Sequence, residues 1–155
     1  MIVPDLNLLL YAYDSESPFH SKAVAWWADC LSGTEPVCLA PVVVFGFVRL
    51  GTNGRVFRRP LTPTEAAKQV RAWQAQPVVR ILEPRADHIA RVLQLLEEVG
   101  TAGNLVTDAQ LAVLALDYGA VLHTADADFL RFERLRWFNP ISGAHSGGAR
   151  RGRRA

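Results

Sequence analysis

Residues 104–129 read NLVTDAQLAVLALDYGAVLHTADADF and contain the two patterns that alternate along the chain. An apolar periodicity typical of a helix begins near Thr107 and ends at Gly119, and a short β-rich run over residues 120–123 follows it. This order predicts a helix followed by a buried strand. The acidic residues of the stretch lie at the start of the helix and directly after the strand; they are Asp108, Asp126 and Asp128.

Short β-rich runs and longer helical runs also alternate on both sides of this stretch. They predict strands over residues 1–3, 36–40, 78–82 and 135–138, and helices over residues 6–13, 17–31, 41–50, 62–74 and 87–99. Thr62 and Glu65 form a capping-box pattern at the start of one helix, whereas the valines of residues 41–50 would also suit a strand. Strands separated by helices pair in parallel through crossover connections. The pattern therefore predicts an α/β fold with a small central parallel sheet covered by helices on both faces.

The composition fits one folded domain followed by a short basic tail. Half of the 155 residues are hydrophobic and 21% are charged, so the chain can bury a core. We expect one domain over residues 1–141 and a flexible tail over residues 142–155, whose last six residues hold four arginines. Without those six residues the net charge changes from +2 to −2, so the folded part has no strongly basic character.

No apolar run approaches the length of about 20 residues that a membrane span needs, and the N-terminal apolar stretch is interrupted by Asp5 and Asn7. We therefore expect a soluble, cytoplasmic protein that does not associate with a membrane. The two cysteines, Cys30 and Cys38, lack the spacing of a metal site and are expected to be buried thiols.

Acidic residues follow two predicted strands and open one predicted helix. Asp5 follows the first strand, Asp126 and Asp128 follow the strand over residues 120–123, and Asp108 lies in the first turn of a helix. In open parallel sheets, sites form at the carboxyl ends of the strands. Each residue alone also suits a helix cap, a helix dipole or a turn. Together they favour a site for a divalent cation, because hard cations prefer oxygen ligands and offset the repulsion between carboxylates.

Three short motifs occur in an order that resembles a known family. They are Asp5-x-Asn7, Asn104-Leu-Val-Thr107-Asp108-Ala109 and Thr124-Ala-Asp126-Ala-Asp128-Phe129. Over residues 1–140 the chain resembles the PIN-domain ribonucleases, and most closely the VapC toxins of bacterial toxin–antitoxin pairs. The resemblance implies a three-layer α/β/α fold and an endoribonuclease that depends on Mg²⁺ or Mn²⁺. It also implies a cognate antitoxin and a homodimer.

The same resemblance assigns roles to individual residues. Asp5, Asp108 and Asp126 would be the catalytic, metal-binding acids, and Asp128 would be a supporting ligand. Asn7 and Thr124 would be polar neighbours of the metal site. The family usually carries a Glu on the helix after the second strand, and in this register that position is Gly46, where the side chain would face the acids. The departure leaves the number of bound metal ions open.

The expected RNA contacts are less specific than the acidic motifs. Arg49 and Arg55 belong to an arginine-rich segment that would contact phosphates, although a solvated loop explains it equally well. The tryptophans are expected to pack in the core, and the histidines to be packed or at the surface. An alternative function is a non-catalytic RNA- or protein-binding module on the same fold. A receiver-like domain is set aside, because the only lysines, Lys22 and Lys68, lie in predicted helices.

Overall fold

One sheet of short parallel strands runs through the middle of the protein. The computed structural model describes residues 1–147. Its strands are β1 (Ile2–Pro4), β2 (Val37–Leu39), β3 (Val79–Ile81), β4 (Val121–His123) and β5 (Trp137–Phe138). They lie in the order β3-β2-β1-β4-β5, and every neighbouring pair is parallel. The predicted parallel sheet is confirmed.

Helices form the two outer layers, so the fold is the expected three-layer α/β/α arrangement. The helices are α1 (Leu6–Tyr13), α2 (His20–Ser32), α3 (Pro41–Gly51), α4 (Pro63–Gln74), α5 (His88–Val99) and α6 (Leu105–Asp117), with a 3-10 helix at Ala127–Arg131. The run over residues 41–50 is thus a helix, and Pro41 at its first position suits a helix start.

The core lies between the sheet and its helices. Val3, Leu39 and Leu122, one from each of the three central strands, are fully buried. Helix α6 is buried on most of its surface, and Trp26, Trp27 and Trp73 are all buried, as expected of packing residues. Cys30 and Cys38 are buried free thiols, which confirms their prediction.

Helix ends agree with the sequence where a local signal is complete. Thr62 and Glu65 form both hydrogen bonds of the capping box at α4, and Gly100 ends α5 with a positive φ of 77°. The prediction that this helix begins near Thr107 is wrong, because α6 begins earlier, at Leu105. A left-handed turn at Gly103 precedes it, and the buried Leu105 anchors its first turn.

Two further expectations about helices need correction. The sequence predicts a helix from residue 17, but α2 begins three residues later, at His20. The hydroxyl of Ser17 instead accepts a hydrogen bond from the Phe19 N–H in a preceding turn (3.2 Å). The helical periodicity of residues 87–99 predicts Ile89 and Leu93 on the core face of α5. They are 76% and 55% exposed, since α5 packs instead through residues 92, 95 and 96.

The folded part extends beyond the predicted boundary at residue 141. His145 forms an antiparallel bridge with Phe138, and the Ser146 N–H donates to the Trp137 carbonyl (2.9 Å). Residues 144–146 therefore cover the outer edge of β5. They pair with backbone groups that an edge strand would otherwise leave unpaired. Residues 148–155 of the predicted flexible tail, which include its arginines, lie outside the described residues.

None of the helices within residues 1–147 combines the length and the apolar character that crossing a bilayer would require.

Candidate metal centre at the carboxyl edge of the sheet

Asp5 and Thr124 are brought together by the pairing of β1 with β4. Pro4 is in register with His123, so the residues that follow the two strands are neighbours. The Asp5 N–H donates to the His123 carbonyl (2.9 Å), and the Thr124 hydroxyl donates to Asp5 Oδ2 (2.8 Å). Both side chains are buried, Asp5 being only 5% exposed.

Asp126 is held beside Asp5 by its own short turn. Its N–H donates to the Thr124 hydroxyl (2.9 Å), and its Oδ1 accepts from the Asp128 N–H (2.8 Å), which caps the 3-10 helix. Its Oδ2 accepts a long hydrogen bond from the Asn7 side-chain amide (3.4 Å). Asn7 and Thr124 are thus direct neighbours of the carboxylates of Asp126 and Asp5.

Asp108 approaches the other acids from the first turn of α6. It is half-buried, and burial raises the pKa of its carboxyl from 3.8 to about 6, with further contributions from the charges of Asp126 and Asp128. Burial also raises the pKa of Asp5 from 3.8 to about 7. Hydrogen bonds from Thr124 and Leu6 oppose that change, and the charges of Asp108 and Asp126 add to it. The carboxylates therefore repel one another at one edge of the sheet.

Few basic groups offset this negative charge. Asp128 is exposed and pairs with Arg131 (Asp128 Oδ1 to Arg131 Nε, 3.4 Å). Within residues 1–147, Asp5, Asp108 and Asp126 form no ion pair with a basic side chain. Residues 1–147 also contain no group of three His, Cys, Asp or Glu side chains that lie close enough together to hold a metal ion without other ligands.

The donor set nevertheless suits a hard cation. It consists entirely of oxygen atoms, from carboxylates and from the Thr124 hydroxyl and the Asn7 amide. Mg²⁺ is commonly held by one or two carboxylates together with water and substrate phosphates, so a complete protein cage is not required. The buried charge of Asp5, which no basic side chain in the described range offsets, is the feature that a cation would relieve.

The space beside position 46 on α3 is filled by a side chain of α1. A Cβ atom added to Gly46 would lie 2.7 Å from Leu6 Cδ2. A side chain at this position would therefore meet Leu6 first, and the expected orientation of position 46 toward the acids stays a prediction.

Arg49 and Arg55, the predicted RNA-binding arginines, are both exposed. Arg49 is in the last turn of α3, eight residues and so about 12 Å along the helix from Pro41 at the sheet edge. Arg55 is in the following loop, and Arg58 pairs with Glu16 (3.1 Å). An RNA contact by Arg49 or Arg55 stays a prediction.

Tyr11 is a residue near the site that the sequence analysis missed. Burial raises the pKa of its hydroxyl above 10.0, and the charges of Asp126 and Asp5 raise it further. Its signal in the sequence is its position one helical turn after Asn7, on the same face of α1.

The sequence matches known proteins over most of its length. Residues 2–135 match the family model of the PIN domain. The chain is 43% identical over 141 residues to Ribonuclease VapC33 of Mycobacterium tuberculosis, covering 91% of this chain and 99% of that protein. It is 40% identical over 140 residues to Ribonuclease VapC37 of the same species, with 90% and 97% covered.

Solved structures share the fold at lower identity. Mycobacterium tuberculosis VapC20, described as a Sarcin-Ricin loop cleaving toxin, aligns with a TM-score of 0.65 at 21% identity, covering 84% of this chain and 93% of that chain. VapBC-1 from nontypeable Haemophilus influenzae aligns with a TM-score of 0.64 at 19% identity, with 90% and 98% covered. Because the family model and these relatives cover nearly the whole folded part, the chain belongs to the PIN domain family and, within it, to the VapC proteins.

Proposed function

We propose that this protein is a metal-dependent endoribonuclease that cleaves phosphodiester bonds in RNA and acts as the toxin of a type II toxin–antitoxin system. The observation that carries the proposal is the meeting of Asp5, Asp108 and Asp126, from three distant parts of the sequence, at one edge of a PIN fold. The relatives of highest identity quoted above are named ribonucleases, which supports the same activity.

Asp5, Asp108 and Asp126 would hold Mg²⁺ or Mn²⁺, with Asp128 as a supporting ligand. When bound, the cation activates water and offsets the charge that develops on the phosphoryl oxygens. The acids arise from a strand end, a helix start and a capped turn, so the backbone around each one is ordered.

Neighbouring polar groups hold the carboxylates in fixed orientations. The Thr124 hydroxyl donates to Asp5 and also accepts from the Asp126 N–H, so one side chain connects two acids. The Asn7 amide orients the opposite oxygen of Asp126. Substituting Thr124 should therefore disturb two of the three acids at once.

Cleavage of a single-stranded RNA by the purified chain tests the proposal. We expect cleavage with Mg²⁺ or Mn²⁺, none with EDTA, and a loss of about 100-fold or more in Asp108→Asn, since an amide replaces an anionic ligand. Asp29→Asn, an exposed substitution on α2, is the matched control and should leave the rate unchanged. Cleavage by Asp108→Asn at the wild-type rate would contradict the assignment, and RNA binding without cleavage under any metal would favour a non-catalytic module.

The proposed partners are a cognate antitoxin and a second copy of the chain. Exposed apolar side chains on two helices support a protein interface: Phe45 on α3 is 71% exposed, and Ile89 and Leu93 on α5 are 76% and 55% exposed. Light scattering after size-exclusion chromatography, with and without the co-expressed antitoxin, would measure both assemblies.

Because RNA is the proposed substrate, we place the protein in the cytoplasm.

A further inference from the structure

The face of α1 that carries Asn7 continues beyond the acidic residues. Asn7 and Tyr11 are one helical turn apart, and the Asn7 amide reaches Asp126 Oδ2 at 3.4 Å. Tyr11 is therefore on the side of α1 that faces the acidic edge of the sheet. The raised pKa of its hydroxyl supports this position, because after burial the causes are the charges of Asp126 and Asp5.

A second aromatic ring packs on Tyr11 from the start of α2. The ring centroids of Tyr11 and Phe19 are 5.1 Å apart, with an angle of 56° between the ring planes. Nδ1 of His20, the next residue, lies 3.0 Å from the Tyr11 carbonyl oxygen and so joins the two segments. The two rings thus form a fixed pair in which Phe19 is the outer member.

Packing in the core accounts for Tyr11 but leaves much of Phe19 unexplained. Tyr11 is partly buried against the core cluster, whereas Phe19 keeps 40% of its surface exposed. The aromatic core cluster, in which Phe47 and Trp73 pack at 4.7 Å, lies beside Tyr13 instead. An exposed ring that packs against a second ring, itself near the acids, is suited to contact a planar ligand.

We propose that Tyr11 and Phe19 form a stacking platform for one base of a single-stranded RNA whose phosphate lies at the acidic edge. This inference rests on the proposed ribonuclease function. Proteins that bind single-stranded RNA stack unpaired bases on aromatic side chains, and this contact does not depend on charge. It would supply attraction at an edge where the protein itself is negatively charged.

Binding of RNA by a cleavage-deficient chain tests the platform separately from catalysis. The Asp108→Asn protein is titrated, with Mg²⁺ present, into a short single-stranded RNA that carries 2-aminopurine, whose fluorescence falls when the base stacks. In this background we expect Phe19→Leu to weaken binding by about fivefold or more and to remove the loss of fluorescence. Phe19→Trp should restore both, because stacking needs an aromatic ring and not only apolar volume.

Tyr118→Leu is the matched control, since Tyr118 is similarly exposed, at 38%, but lies at the end of α6 that is far from Asp108. It should leave affinity and fluorescence unchanged, and thermal melts of each variant would confirm folding. If the Asp108→Asn protein binds RNA with the same fluorescence change after Phe19→Leu and after Tyr11→Leu, the platform is refuted and the ribonuclease proposal stands. If the wild-type chain cleaves no RNA with Mg²⁺ or Mn²⁺, the proposed function fails and the platform fails with it.

Discussion

The carboxylate of Asp5 is buried without a basic partner in the described part of the chain, and its charge should destabilise the metal-free protein. We expect Asp5→Asn to raise the melting temperature in EDTA at pH 8, because the amide is neutral and still offers an oxygen to the Thr124 hydroxyl. A gain of 1 kcal/mol corresponds to roughly 2–4 °C in a domain of about 150 residues. A thermal melt of the two proteins measures the difference.

Two comparisons make this prediction specific to Asp5. The exposed substitution Asp29→Asn should leave the melting temperature unchanged in EDTA. Added Mn²⁺ should raise the melting temperature of the wild type and have little effect on Asp5→Asn. A lower melting temperature of Asp5→Asn in EDTA would show that the ionised carboxylate stabilises the fold by itself.

Gly46 leaves the space that the Leu6 side chain occupies, because a Cβ atom at position 46 would lie 2.7 Å from Leu6 Cδ2. We expect Gly46→Glu to destabilise the protein by about 1–3 kcal/mol, as overpacking does, despite the removal of a helix glycine. In a Leu6→Ala background the same substitution should cost about 1 kcal/mol less, since the space is then open. Urea denaturation of the four proteins measures this coupling.

Gly54 is the control position, since its nearest neighbour to an added Cβ is Pro60 Cγ at 3.8 Å. Gly54→Glu should change stability little and show no coupling to Leu6→Ala. Equal costs of Gly46→Glu in both backgrounds would mean that the approach to Leu6 does not limit this position.

At the scale of elements, the sequence predicted those helix ends that a short motif defines. Tertiary packing decided which face of a helix is buried. The capping box at α4 and the glycine after α5 are both present, because each depends on only a few consecutive residues. The core face of α5 depends on how α6 packs against it, so the exposure of Ile89 and Leu93 could not follow from periodicity alone.

The capping box of α4 also provides a stability prediction. The Thr62 hydroxyl accepts from the Glu65 N–H (3.2 Å), and the Glu65 carboxylate accepts from the Thr62 N–H (2.7 Å). Thr62→Ala should lower the free energy of unfolding by about 1 kcal/mol. Thr64→Ala, an exposed threonine of the same turn, should have a smaller effect in the same urea titration. Equal effects of the two substitutions would argue against the cap as the cause.

At the scale of the whole molecule, the strand order explains why part of the site was predictable. Asp5, Asp108, Asp126 and Asp128 were expected at the carboxyl edge, because parallel strands end there and helices start there. Tyr11 and Phe19 were not expected, because their contact arises from the packing of α1 against α2. The assigned roles of Asp5 and Asp108 are tested by the substitutions proposed above.

The two buried thiols report whether residues 1–147 unfold as one unit. Cys38 lies on β2 inside the sheet and Cys30 on α2, which forms part of an outer layer. Burial raises the pKa of the Cys30 thiol to about 12 and also raises that of Cys38. Since the thiolate is the reactive form, neither cysteine should react with iodoacetamide at pH 8 in the folded protein.

We expect both thiols to become reactive at the same urea concentration, and at the midpoint measured by circular dichroism, because a single core connects α2 with the sheet. Pulse labelling across a urea series, followed by mass spectrometry of the two peptides, gives a midpoint for each cysteine. Wild-type protein unfolded in high urea is the control, and it should label fully at both positions. If Cys30 reacts at a clearly lower urea concentration than Cys38, α2 opens separately. The Tyr11–Phe19 pair, which joins α1 to the start of α2, would then be lost before the sheet unfolds.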